Sequence, residues 1–266
     1  MQLIAGRTAR ECNRPFLTPK ALVHLKRFER FLPRAQGFML EKNLIQIAGV
    51  IDAPEAQMLQ QCGVRYLGFP LRLPVHREDL TEEAAAAIIK SLAPPIFGVL
   101  ITYLDEANEI AAFSHSLGAR LVQLHGDIDR DELKRLKALD PTLTVIKSLV
   151  IGMRDDKALE GTLSELSPFV DAFITDTFDP KTGASGATGK THDWRVSRRL
   201  VELADRPIIL AGGLTPTNVK RAIVEVRPAG VDSHTGVEDS SGRKSREKVQ
   251  KFLSEAYEAF ELVKAK

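Results

Sequence analysis

From Leu44 to the C-terminus the sequence alternates, eight times over, a short apolar run of strand character with a longer stretch of helical character. The strand runs fall at residues 44–49, 65–71, 96–102, 120–126, 144–150, 171–177, 207–213 and 230–236. Helical stretches follow at 53–62, 81–92, 105–117, 129–139, 157–169, 193–204, 217–226 and from 245 to the end. Strict alternation of this kind builds parallel β/α units. Eight units predict a closed (β/α)8 TIM barrel rather than a doubly wound sheet, which reverses its strand order and holds fewer strands. Local chemistry supports several borders. Thr81 precedes an alanine-rich run as a helix start, Gly118 ends one with a residue free to take positive φ, and Thr215-Pro216 leads into the seventh helix.

The chain divides at residue 43. Residues 1–43 hold nine Lys/Arg against three Glu, whereas the whole chain of 266 residues carries only +2. Within this basic N-terminal extension, residues 18–32 set Leu22, Leu25, Phe28 and Leu32 at helical spacing, opposite Lys20, Lys26, Arg27 and Arg30, which predicts one amphipathic helix. Packing on the outside of the barrel, an oligomer contact and an anionic partner all suit such a stripe. Residues 44–266 form the predicted barrel. The near-balanced charge argues against a nucleic-acid partner, and a monomer or homodimer is expected. No apolar run approaches the roughly 20 residues that span a bilayer. Two cysteines, Cys12 and Cys62, make no disulfide framework, and the reading is a cytoplasmic protein. No His/Cys/Asp/Glu cluster has metal-ligand spacing and no redox motif is present, so neither metal nor cofactor is expected.

In such a barrel the working groups project from the C-terminal ends of the strands. Strand one ends in Ala48-Gly49, with nothing to titrate. A long loop after strand two carries Arg72, His76 and Arg77. Strand four ends at His125-Gly126, strand six at Asp176, strand seven at Gly212-Gly213 and strand eight at His234-Thr235-Gly236. Glycines beside a hydroxyl after strands seven and eight let backbone N–H groups approach an anion, so a phosphorylated small molecule is the expected ligand. The run GASGATGKT at 183–191 suggests a nucleotide-binding loop, but its spacing fails: four residues must separate the first glycine from Gly-Lys-Thr. A flexible loop covering the substrate, anchored at Asp193-Trp194, fits better.

Taken in order, VQLHG at 122–126, DAFITDT at 171–177, ATGKTHDW at 187–194, ILAGGLTP at 209–216, and GVD at 230–232 with GVE at 236–238 resemble the phosphoribosylanthranilate isomerase family. These are (β/α)8 enzymes of tryptophan biosynthesis that convert a phosphoribosyl-amine of anthranilate to the amino-ketose. The resemblance implies that Asp176 is the general acid for the furanose ring oxygen, that Arg77 pairs with the aromatic carboxylate, and that Gly212, Gly213, Thr235 and Gly236 hold the phosphate. Two departures stand out. Where the family carries a Lys-Ile-Cys-Gly whose cysteine takes the C2 proton, this chain has Gln46-Ile47-Ala48-Gly49, and a methyl group is not a base. Where the family has Ser-Ser-Gly, this chain has His234-Thr235-Gly236. Losing a positioned base costs about 10² to 10⁴-fold in rate. His76 and His234 are the candidates to replace it, with His125 read as structural and Cys62 as core. Three functions follow: an isomerase with an altered base or substrate, a non-catalytic phosphosugar-binding paralogue with a regulatory or partner-binding role, or the pathway isomerase with weakened activity.

Overall fold

The computed structural model describes residues 40–74, 78–153, 155–179, 184–185 and 191–264, with no side-chain description for 178, 179, 184 and 185. Eight parallel strands form its centre: β1 (Leu44–Ala48), β2 (Tyr66–Pro70), β3 (Phe97–Thr102), β4 (Leu121–Leu124), β5 (Thr144–Ile151), β6 (Ala172–Asp179), β7 (Ile208–Leu210) and β8 (Gly230–Ser233). Each pairs with its sequence neighbours, and β8 pairs with β1, Gln46 lying opposite Asp232, so the sheet closes on itself. The helices are α1 (Ala53–Cys62), α2 (Glu82–Ser91), α3 (Ala107–Leu117), α4 (Arg130–Leu139), α5 (Asp156–Leu166), α6 (Trp194–Leu203), α7 (Val219–Val226) and α8 (Arg246–Lys264). The predicted (β/α)8 barrel is the observed fold.

Alternation along the strands sorts residues between two cores. Ile45, Ile47, Leu67, Leu100, Val122, Val145, Phe173 and Val231 face outward and are buried under the helices. Leu44, Ala48, Tyr66, Val99, Ile101, Leu121, Ile146, Ile174 and Ile209 fill the lumen as a separate cluster. At the inward phase of that pattern Gln46, Gln123, Asp176 and Asp232 are buried polar residues among the apolar ones.

Helix borders follow local chemistry. Asp52, Thr81, Asp129 and Asp155 each accept a hydrogen bond from a first-turn N–H, at 2.8–3.2 Å, as N-caps do. Asp52 also takes Arg243 in a two-pronged contact at 2.8 and 2.9 Å, clasping the loop after β1 to the loop after β8. Three predicted strands run too long. β4 stops at Leu124, β7 at Leu210 and β8 at Ser233, because beyond those points the chain leaves its parallel partners to form the rim. α5 stops at Leu166 rather than Phe169, since Pro168 lacks the N–H a continuing helix requires and the chain tightens into a 3₁₀ turn over Ser167–Phe169. Glu41 and Asn43, placed in the extension by the sequence, already hold the barrel: Glu41 pairs with Arg65 at 2.7 Å and the Asn43 N–H donates to the Ala229 carbonyl at 2.9 Å. The amphipathic helix predicted at 18–32 and Cys12 lie outside the described residues. So do His76, Arg77 and most of the predicted covering loop.

Candidate active site

Asp176 is buried near the C-terminal end of β6, with the residue 4% exposed. Its Oδ1 accepts the Thr177 N–H at 2.8 Å, and its Oδ2 lies 2.9 Å from His125 Nδ1. That second approach has the length of a hydrogen bond but not its alignment. His125 sits just past β4, and its other nitrogen, Nε2, is 2.7 Å from Gln123 Nε2. Gln123 in turn receives Gln46 Nε2 on its Oε1 at 2.9 Å. The histidine read from sequence as structural thus touches the candidate acid.

Asp232, opposite Gln46 on β8, is buried, with 8% of its surface exposed. Burial pushes its carboxyl up to about 7, with the neighbouring Asp176 charge adding to the rise and a hydrogen bond from Gln46 opposing it.

Ala48 lies at the end of β1, 3% exposed, with its methyl packed in the lumen cluster. It offers no proton acceptor. Beside it Gly49 takes φ +78°, and a Cβ there would collide with the His234 imidazole. The histidine that follows β8 therefore lies directly over the end of β1, one residue beyond Ala48. Its Nε2 is 3.7 Å from Glu238 Oε1, which is fixed by Lys244 Nζ at 2.6 Å.

The two glycine-bearing loops form one surface. Asn218 Nδ2 donates to the Gly213 carbonyl at 2.9 Å and its Oδ1 accepts the Thr215 N–H at 2.8 Å, folding the loop after β7 back on itself. Ser233 Oγ donates to the Leu214 carbonyl at 2.8 Å, and a Cβ on Gly236 would strike that same carbonyl. Leu214 thereby joins the loop that carries Gly212 and Gly213 to the loop that carries Gly236, with Thr235 opening the short 3₁₀ turn Thr235–Val237. Gly212 also has no room for a Cβ, because Thr177 Oγ1 fills the space. Thr177 Oγ1 is 2.9 Å from His192 Nδ1, and His192 Nε2 is 2.6 Å from Ser197 Oγ. Burial holds His192 down to about 4, so the ring is neutral near pH 7.

Other candidates are placed elsewhere. Arg72 binds Glu82 and Glu109, each at 2.8 Å, and stacks on Phe113. Cys62 is half-buried on α1, its Sγ 3.8 Å from Met58 Sδ, and burial raises its thiol. Among the described residues no three His, Cys, Asp or Glu gather to hold a metal ion. A cavity of about 370 Å³ at the starts of α6 and α7 is lined by His192, Thr217, Asn218 and Arg221 among others, and neither Asp176 nor Asp232 lines it.

A closed barrel with a buried aspartate and paired glycine loops at the C-terminal ends of its strands is the site plan of a (β/α)8 enzyme. The chain belongs to the N-(5'-phosphoribosyl)anthranilate isomerase family, whose model matches residues 46–255. That family comprises isomerases of tryptophan biosynthesis. One relative, N-(5'-phosphoribosyl)anthranilate isomerase 2 of Methanosarcina mazei, is 38% identical over 221 residues, 81% of this chain and 95% of the relative. The isomerase of Haloferax volcanii is 34% identical over 213 residues, 80% of this chain and 92% of the relative. Among solved structures, phosphoribosyl anthranilate isomerase from Thermotoga maritima superposes with a TM-score of 0.69 at 27% identity, covering 81% of this chain and 99% of that one. A phosphoribosyl anthranilate isomerase solved in complex with reduced 1-(o-carboxyphenylamino)-1-deoxyribulose 5-phosphate gives 0.67 at 25% identity, with the same coverage. No helix among the described residues is long and apolar enough to cross a membrane.

Gln46, Gln123, His125, Asp232 and His192 were not foreseen as parts of the site. For the first four a signal existed: each stands at the inward phase of a strand, or just beyond it, where the neighbouring inward residues are apolar. His192 carried no such signal, since its partners come from β6 and α6.

Proposed function

We propose that the chain isomerises the phosphoribosyl-amine of anthranilate to the amino-ketose phosphate, and that His234 takes the proton that the family's first-strand cysteine would take. The observation that carries this reading is the His234 ring lying over Gly49 beside the inert methyl of Ala48. Asp176 gives its proton to the furanose ring oxygen as the C1–O bond breaks and the ring opens to the iminium. His234 removes the C2 proton, whose electron pair neutralises the iminium and leaves the aminoenol, and that species tautomerises to the ketose. Gly212, Gly213, Thr235 and Gly236 hold the phosphate through backbone N–H groups and a hydroxyl. Arg77 meets the aromatic carboxylate. The relative solved with a reduced carboxyphenylamino-deoxyribulose phosphate holds an analogue of that product.

The inert methyl of Ala48 favours one second reading, a protein that binds the phosphosugar without turning it over. Purified full-length chain, Ala48→Cys and His234→Asn, each assayed for ketose formation from phosphoribosylanthranilate, separate the two. Turnover by the natural chain that falls at least about 100-fold in His234→Asn supports the proposal. Turnover only in Ala48→Cys overturns His234 as base and supports the binding protein. Turnover in none of the three means that the substrate has changed.

A further inference from the structure

The lumen contains a chain of four buried groups drawn from three strands and the residue after one of them. Gln46 is 0% and Gln123 2% exposed, and the side chains of His125 and Asp176 are 9% and 6% exposed. Gln46 Nε2 donates to Gln123 Oε1 at 2.9 Å, which commits the oxygen end of the Gln123 amide to β1. Its NH2 end then faces His125 Nε2 at 2.7 Å. An NH2 group has only protons to offer, so the imidazole nitrogen that meets it must bear the lone pair. In the neutral ring the single proton is left on Nδ1, the nitrogen 2.9 Å from Asp176 Oδ2. Turning the Gln123 amide over would set its NH2 against the Gln46 NH2. Away from water such a mismatch is costly, and turning Gln46 over with it would forfeit the hydrogen bond that the Gln46 NH2 gives the Asp232 carboxyl.

We propose that Gln46 and Gln123 are positioning residues that hold His125 as its Nδ1–H tautomer, and that this N–H stabilises the carboxylate Asp176 acquires when it gives up its proton. The inference rests on the reading of Asp176 as the acid. No proton leaves His125 in the step. The proton transferred is the one on Asp176, which moves to the ring oxygen as the C–O bond breaks, while the His125 hydrogen bond aligns and strengthens as charge develops on Oδ2. A contact stronger in the transition state than in the ground state is the kind that raises kcat rather than lowering KM.

Long-range proton–nitrogen NMR of the ¹⁵N-labelled full chain near neutral pH reads the tautomer directly, with the His125 signals identified by their loss in His125→Asn. The expected spectrum has the proton on Nδ1 and a bare Nε2. Gln123→Glu sets an acceptor of the same shape against Nε2 and should move the proton there, whereas Gln123→Met only removes the donor and should give a mixture of the two tautomers. In the assay above, Gln123→Met should lose about 10- to 100-fold in kcat with KM little changed, the loss expected for one hydrogen bond to a charged group. A natural chain with Nε2–H, or an Nδ1–H that survives unchanged in Gln123→Glu, overturns the proposal. The spectra decide it even if phosphoribosylanthranilate proves not to be the substrate, so failure of the functional reading and failure of this one are told apart.

Discussion

Lys244 has a side chain with no solvent exposure, and its ammonium meets Glu238 at 2.6 Å, on the carboxylate oxygen that also lies 3.7 Å from His234 Nε2. The pair fixes a carboxylate 3.7 Å from the imidazole, too far for a hydrogen bond but close enough for its charge to act on the ring. It also makes Glu238 expensive to neutralise. Glu238→Gln leaves a buried charge without a counter-ion, and the expected loss is about 3–5 kcal/mol in urea unfolding. Glu238→Gln with Lys244→Met removes both charges and should recover most of it. Equal instability of the single and double variants would refute the buried-pair account.

Two buried groups should pull stability in opposite directions as pH changes. His192 is held down to about 4 from an ordinary 6.5, chiefly by burial, so between those values the unfolded chain binds more protons and stability rises with pH. Its full contribution, roughly 3 kcal/mol, is present above pH 6.5 and is lost as pH falls toward 4. Asp232 is raised from 3.8 to about 7, so there the folded chain binds more protons and stability falls as pH rises through that window, by an amount on the order of 4 kcal/mol. Where the windows overlap the two slopes offset. His192→Gln should therefore steepen the fall of stability with rising pH, and Asp232→Asn should reverse it and stabilise the protein most above pH 7. Urea melts across this range check both. Parallel curves for the three proteins would contradict the assignments.

Gly213 takes φ +61°, a conformation that Asp tolerates better than most residues, so Gly213→Asp tests the phosphate loop with little cost to folding. A carboxylate placed among N–H groups that face an anion should weaken binding of a sugar phosphate at least about tenfold. Calorimetric titration with ribose 5-phosphate measures it, and an unchanged affinity would move the phosphate site elsewhere.

At the mouth, Ala48→Cys restores a thiol to a packed position whose methyl lies against the Gly68 backbone. With His234 already over Gly49, the new thiol should add no more than about tenfold to turnover of the natural chain, well under the full worth of a positioned base. A gain of several hundredfold would mean that His234 is idle.

The eight β/α units, the helix start at Thr81, the helix stop at Gly118, and the candidate roles of Asp176 and the glycine loops were all legible along the chain. Each depends on residues close in sequence: alternation with a period of two, a side chain reaching its own first turn, or a motif of a few residues at a strand end. The strand ends were less legible. Where β4, β7 and β8 stop depends on how far their neighbours continue, and that is set by closure of the barrel rather than by the run itself.

The sequence by itself determined that this is a barrel, where its mouth lies, and which residues, Ala48 among them, stand at the strand ends. Only the tertiary structure decided what surrounds those positions. Gln46 and Gln123 are 77 residues apart, and His125 sits just past β4 while Asp176 lies on β6, yet they meet because a closed, staggered sheet turns inward-facing residues of distant strands toward one another. The same closure of β8 on β1 set His234 over Gly49. Periodicity tells each residue which way to face; it does not tell it whom it will face across the lumen.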